Sequence, residues 1–123
     1  MLARCIHFAI SNPLHKWRFA CIITDRQGRI ISQAFNSMTK THPMQYKYAC
    51  THGNRQQIFL HAEIAALVRC RAIPHTLYVA RVDAHSRPAM ARPCPICMEA
   101  IRKAGIKEIY FTCNQSESMI LSV

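Results

Sequence analysis

Acidic residues and long apolar runs are scarce in this sequence. Six Asp and Glu stand against sixteen Lys and Arg, which gives a formal net charge of +10. A positive field of this size favours phosphate-bearing partners, meaning nucleotides or nucleic acid. No apolar segment approaches the ~20 residues of a membrane-spanning helix, so we expect no membrane partner. With 123 residues and no internal repeat or linker, the chain is predicted to form a single domain over 1–123.

The sequence also lacks a secretory signal pattern and an even number of cysteines. The apolar run Met1–Ile10 contains Arg4 and His7 and has no small-residue cleavage pattern. Seven cysteines do not pair into a complete disulfide framework. We therefore expect a cytoplasmic protein in a reducing compartment, whose cysteines serve as metal ligands and as small core residues.

Helical and strand patterns alternate along the chain, which predicts an α/β fold with three layers, α/β/α, around about five mixed strands. The last strand follows the one before it too closely for a crossover helix, so it is predicted to be antiparallel to it. The predicted helices are Leu2–Ile10, His61–Arg71 and Ile96–Ala104, and the predicted strands are Trp17–Asp25, Arg29–Phe35, Leu77–Val82, Ile106–Thr112 and Met119–Val123. In the first strand, the alternation predicts that Trp17, Phe19, Cys21 and Ile23 face the core.

Two stretches are predicted to be loops, Asn36–Leu60 and Asp83–Arg92. Loops longer than about 12–15 residues in a compact domain are usually functional, and both stretches carry basic residues. His42 in the first loop is a candidate substrate contact, and Arg92 in the second is a candidate phosphate contact. The C-terminal strand is a candidate exposed edge, which leaves pairing into a homo-oligomer open.

Two short motifs carry groups that suit metal and proton chemistry, His61-Ala62-Glu63 and Pro93-Cys94-Pro95-Ile96-Cys97. Cys94 and Cys97 are spaced so that they neighbour each other on one helical face. One imidazole and two thiolates can hold Zn²⁺ and leave its fourth position open for water. Glu63 is placed to reach that water without binding the metal, as a general acid and base does.

Each motif is ambiguous when it stands alone. His-x-Glu arises often by chance, and Cys-x-x-Cys also occurs in structural zinc sites and redox pairs. A structural site would need a fourth ligand, and neither His85 nor Cys70 has the spacing to supply one. Since both motifs open helices and a strand separates them, their conjunction favours a catalytic zinc site.

In these motifs the chain resembles the zinc-dependent cytidine and deoxycytidylate deaminases. That superfamily also includes polynucleotide cytosine deaminases and tRNA adenosine deaminases. The resemblance covers most of the chain and includes the Gly28 turn, Phe35-Asn36, Leu77-Tyr78-Val79 and Ala104-Gly105-Ile106. It implies a cytidine-deaminase-like sheet and one catalytic Zn²⁺.

The resemblance also implies roles for individual residues. His61, Cys94 and Cys97 would be the zinc ligands and Glu63 the proton shuttle. The Asn36 side chain and the Ala62 backbone N–H would contact the substrate.

The implied reaction is hydrolytic deamination of a cytosine base to uracil, with attack by a zinc-bound hydroxide at C4. We expect the substrate to be a phosphate-bearing cytosine compound, either a free nucleotide or single-stranded DNA or RNA. The antiparallel ending is similar to the nucleoside deaminase branch, whereas histidine as the first ligand is similar to the nucleotide and polynucleotide branches. Two alternatives stay open: an adenosine deaminase that acts on nucleic acid, and a non-catalytic nucleic-acid-binding module stabilised by zinc.

Overall fold

The computed structural model describes residues 1–51, 59–114 and 118–123. All eight predicted elements are confirmed, with each end within two residues of the prediction, and two further elements are present. None of the described helices combines the length and apolar character needed to cross a bilayer. The helices are α1 (Leu2–Ile10), α2 (Pro43–Thr51), α3 (Ala62–Arg69) and α4 (Pro95–Lys103), and the strands are β1 (Arg18–Thr24), β2 (Ile30–Phe35), β3 (Thr76–Val82), β4 (Pro88–Ala89), β5 (Glu108–Thr112) and β6 (Ser118–Ser122).

The strands form one mixed sheet in the order β2-β1-β3-β5-β6, with β4 paired to β3. β1 is antiparallel to both β2 and β3, and β3 is parallel to β5. β6 runs antiparallel to β5, as predicted. Since β3 and β5 are parallel, the chain must cross over between them, and α4 lies in that connection.

Helices cover both faces of the sheet, which confirms the predicted α/β class and its layers. On one face, Cys5 and Ala9 of α1 pack against Ala20, Ile22 and Ala80 of the central strands. The opposite face carries α2, α3 and α4 over a larger apolar core. β1 is therefore buried on both sides, which explains its continuous apolar sequence.

The prediction of an unstructured loop over Asn36–Leu60 is wrong, because α2 lies within it. Pro43 opens this helix, where its missing N–H costs nothing, and the His42 Nδ1 accepts a 3.0 Å hydrogen bond from the Met44 N–H. The inward face includes the buried side chain of Gln45. A polar residue at an inward position breaks the apolar period, so the sequence pattern did not indicate a helix.

The predicted loop Asp83–Arg92 also contains regular structure. β4 pairs with β3 through Arg81–Ala89 and Val82–Pro88 and forms a short hairpin. A strand of two residues is too short to produce an alternating pattern, which is why the sequence did not reveal it.

Trp17 is not a core residue, contrary to the prediction from alternation. β1 begins at Arg18, and Trp17 has a left-handed backbone with φ 56°. Its side chain is 54% exposed, whereas Cys21 and Ile23 are fully buried. Phe19 is partly buried against the same core. The left-handed residue interrupts the period-2 alternation one position before the strand starts.

Two hairpin turns in the sheet share one hydrogen-bonding pattern. The Asp25 Oδ1 accepts hydrogen bonds from the backbone N–H groups of Gln27 and Arg29, and its Oδ2 forms a 2.8 Å ion pair with Arg29. Asp83 does the same with the N–H groups of His85 and Arg87 and pairs with Arg87 at 3.1 Å. The fourth residue of each turn has positive φ, 83° at Gly28 and 61° at Ser86.

We predict that Gly28→Ala lowers the free energy of unfolding by about 1 kcal/mol, because a Cβ is disfavoured in the left-handed region. An added Cβ meets no atom within 4 Å, so the loss comes from the backbone alone. Urea unfolding of the zinc-loaded protein measures it. The control is Gln27→Ala in the same turn, which should leave stability unchanged. Equal stability of Gly28→Ala and wild type would show that the turn adopts another conformation.

Candidate active site

The first residues of α3 and α4 bring three metal-binding side chains together. His61 and Cys94 are the residues before each helix, and Cys97 lies in the first turn of α4. The His61 Nδ1 is 3.2 Å from the Cys97 Sγ and 3.6 Å from the Cys94 Sγ. All three donor atoms lie within 4.8 Å of one another. The predicted ligand set is thus a real cluster in the fold.

The donor set fits one zinc ion. Tetrahedral zinc with Zn–S near 2.3 Å and Zn–N near 2.0 Å separates its sulfur and nitrogen ligands by roughly 3.6 Å. The distances from the His61 Nδ1 to the Cys97 and Cys94 sulfurs, 3.2 and 3.6 Å, agree with this. Two thiolates and a neutral imidazole also balance the double charge of the ion. His61 and Cys94 line a cavity, so a fourth ligand position can face it.

A buried glutamine on α2 supports the start of α3. The Gln45 Oε1 accepts a 3.1 Å hydrogen bond from the His61 backbone N–H. This bond fixes the backbone that carries the imidazole. Gln45 was not found from the sequence, because no helix was predicted there and a lone glutamine carries no motif.

The two thiols have opposite tendencies to ionise. A hydrogen bond from Cys97, helped by His61, lowers the pKa of Cys94 to about 4. The same hydrogen bond, together with burial, raises the pKa of Cys97 well above its ordinary value. Because a metal is bound by thiolates, binding by both sulfurs requires release of any proton that Cys97 retains.

Glu63 lies in the first turn of α3 and is buried, with only 5% of its surface exposed. Burial raises the pKa of its carboxyl group, and the nearby His61 partly opposes this. A raised pKa lies nearer to neutral pH, where a group both accepts and donates protons effectively. Glu63 is therefore suited to moving protons beside the cluster.

His61, Cys94 and Glu63 border a cavity of about 400 Å³, a volume within the range of small-molecule sites. Most of its wall is apolar or aromatic. The described residues that line it are Trp17, Phe19, Asn36, Ser37, Met38, Phe59, Leu60, His61, Ala62, Glu63, Arg92 and Cys94.

Most of the predicted site residues meet at this cavity. Asn36, Ala62 and Arg92 line it together with Glu63. Cys97 lies behind these residues in the metal-binding cluster and is not one of the described lining residues. His42 belongs to neither the cluster nor the described lining, and its Nδ1 caps α2. The expectation that His42 contacts substrate therefore has no support from its position.

Asn36 lines the cavity, yet its side chain is largely occupied by protein groups. Its Oδ1 accepts hydrogen bonds from the Asn12 Nδ2 at 2.9 Å and the Phe19 N–H at 3.0 Å. Its Nδ2 donates to the Trp17 carbonyl at 2.7 Å. One N–H of the carboxamide is left for any other partner.

Besides Gln45, which supports the His61 backbone, the sequence did not reveal several residues that line the cavity. Trp17 was assigned to the core, and Ser37 and Met38 were not singled out. Ser37 and Met38 carry no motif. For Trp17 there was a usable signal, because a residue at the very start of a strand often departs from the alternation.

Comparisons with known proteins agree with this site. A family model described as "Cytidine and deoxycytidylate deaminase zinc-binding region" matches residues 1–113. Among solved structures, the chain is similar to dCMP deaminase from the cyanophage S-TIM5 in complex with dCMP and dUMP, with a TM-score of 0.59 and 19% identity over 89% of this chain and 76% of that chain. The apo form of that enzyme gives a TM-score of 0.55 and 19% identity over 89% and 80%. At this identity the structural likeness concerns the fold. No curated protein matches the sequence significantly.

We predict that Cys94→Ala abolishes tight zinc binding, because two of three protein ligands do not hold the ion firmly. Elemental analysis after gel filtration should give about one zinc per wild-type chain and far less for the variant. Cys70→Ala is the control, since Cys70 donates its thiol hydrogen to the Ala72 carbonyl and lies outside the cluster. Full zinc occupancy in Cys94→Ala would remove Cys94 from the ligand set.

Proposed function

The chain belongs to the cytidine and deoxycytidylate deaminase family, and we propose that it hydrolytically deaminates the cytosine base of a pyrimidine nucleotide. Water adds its oxygen to C4, the C4–N4 bond breaks, and the products are uracil and ammonia. The observation that carries this proposal is the buried Glu63 beside the His61, Cys94 and Cys97 cluster at one cavity. A site that served folding alone would not need a buried carboxyl group that faces a cavity.

In the proposed mechanism, His61, Cys94 and Cys97 would hold one zinc ion. When bound, zinc lowers the pKa of a water molecule to about 7 and so supplies a nucleophile at neutral pH. Glu63 accepts one proton from the attacking water and delivers it to the base N3. It then takes the remaining proton from the hydroxyl formed on C4 and passes it to the departing amine. Its raised pKa makes the carboxylate a stronger base and so favours the uptake of the first proton.

The start of α3 can also orient the base. Ala62 is the first residue of the helix and lines the cavity. N–H groups in the first turn of a helix have no acceptor within the helix, and they lie at its positive end. We assign to the Ala62 N–H a hydrogen bond with the base carbonyl O2, which places C4 toward Glu63.

The cavity supports a free nucleotide as the substrate. Its volume of about 400 Å³ suits a small molecule. Arg92 is the only lysine or arginine among the described lining residues, and its exposed guanidinium is free to meet a phosphate at the rim. The structural neighbour from cyanophage was solved with dCMP and dUMP, and the net charge of +10 attracts phosphate.

We predict that Glu63→Gln keeps its zinc but loses turnover by at least about 100-fold, because the amide does not transfer protons. The measurement is conversion of dCMP to dUMP, followed by chromatography, together with zinc analysis of the same sample. A variant without zinc would show that Glu63 is structural, and a variant with wild-type turnover would refute the assigned role.

We predict that Arg92→Gln raises KM for dCMP roughly tenfold and leaves KM for deoxycytidine unchanged, because only the nucleotide carries a phosphate. Arg102→Gln is the matched control, an exposed arginine on α4 outside the described cavity lining. Equal effects on both substrates would contradict a phosphate contact. Faster turnover of single-stranded DNA than of dCMP would overturn the choice of a free nucleotide.

A further inference from the structure

Trp17 combines cavity exposure with a strained backbone. Its φ of 56° lies in the left-handed region, which a bulky side chain adopts at a cost. The residue is 54% exposed and lines the cavity. Burial of apolar surface therefore does not account for this conformation. Strain of this kind persists when the surroundings hold it, and it is common at ligand-binding sites.

The Asn36 side chain holds the backbone on both sides of Arg18. It donates to the Trp17 carbonyl at 2.7 Å and accepts from the Phe19 N–H at 3.0 Å. The Asn12 Nδ2 binds both the Asn36 Oδ1 and the Phe19 carbonyl, each at 2.9 Å. These bonds compensate for the strain at Trp17 and fix where its side chain leaves the backbone.

Arg81 on β3 holds the ring itself. Its guanidinium lies 4.5 Å from the centre of the Trp17 ring and 5.8 Å from that of Phe19. Its buried Nε has no hydrogen-bond partner within the described part of the chain. Trp17 lines the cavity, whereas Arg81 is not one of the described lining residues. This cation–π contact stabilises the ring in its observed position.

We propose that Trp17 is a substrate-contacting residue whose indole packs against the nucleoside part of the substrate, and that Asn36 is a positioning residue that acts through Trp17. This inference rests on the proposed function. An aromatic ring that is fixed in advance binds a base or sugar without a further loss of side-chain freedom. Asn36 thereby contributes to the site by shaping its wall.

The chain contains a single tryptophan, so its tryptophan fluorescence reports on Trp17 alone. We expect titration of the zinc-loaded protein with dUMP, the product, to change this fluorescence in a saturable way. Equilibrium dialysis measures dUMP binding independently. If dUMP binds without changing the fluorescence, Trp17 does not contact the ligand.

Kinetics of variants test the contact during turnover. We expect Trp17→Ala to raise KM about tenfold for both deoxycytidine and dCMP, since the indole meets the nucleoside part that they share. Tyr46→Ala should leave KM unchanged, because Tyr46 is 51% exposed, close to Trp17 in exposure, and is not a described lining residue. Trp17→Phe retains a smaller ring and should give an intermediate KM if Trp17→Ala fails to fold. Wild-type KM in either foldable Trp17 variant would overturn the proposal.

A double-mutant cycle separates the two possible roles of Asn36. If Asn36 acts through Trp17, then Asn36→Ala raises KM in the wild-type background and has no further effect in Trp17→Ala. If Asn36 binds the substrate itself, the two effects add, and its positioning role is refuted.

Wild-type turnover of dCMP is measured first, so that failure of the proposed function and failure of this inference can be told apart. If dCMP is not turned over but dUMP still changes the Trp17 fluorescence in a saturable way, the proposed reaction is rejected and this inference stands. If dCMP is turned over but dUMP leaves the fluorescence unchanged, this inference is rejected and the proposed reaction stands.

Discussion

The structure depends on the convergence of two helix starts on one point. α3 and α4 lie on the same face of the sheet, and the residues at their first turns supply every donor of the His61, Cys94 and Cys97 cluster. That meeting requires β3 and β5 to be parallel, because only then does the connection between them return across the sheet with α4 in place. The same convergence brings Glu63 next to these three donors.

Local spacing is what allowed much of the site to be predicted. His61 and Glu63 belong to one helical turn, as do Cys94 and Cys97, so their mutual positions follow from helix geometry alone. Their placement at helix starts also followed from the pattern of apolar residues and from Pro95. The cavity around them did not follow, because its wall is assembled from segments that are distant in sequence.

The failures of prediction have specific physical causes. α2 was missed because Gln45 turns inward to bind the His61 N–H, so a supporting interaction of the site disrupted the apolar pattern that identifies a helix. Trp17 was placed in the core because the alternation of residue types does not reveal that its backbone is left-handed. Gln45 supports the site and Trp17 lines its cavity, and each departs from the regular pattern of its element. Departures of this kind are expected at functional sites, where the needs of the site override the local pattern.

The paired aspartate turns have a consequence for how the chain reaches its fold. Asp25 and Asp83 each bind the backbone of their own turn, so the register of the β1–β2 and β3–β4 hairpins is set by contacts close in sequence. Local closures of this kind form within about 1–10 μs. The distant pairing of β1 with β3 then joins two ribbons whose registers are already defined, which limits the search over strand slippage. Strand pairing can thus begin at the two turns and extend toward the centre of the sheet.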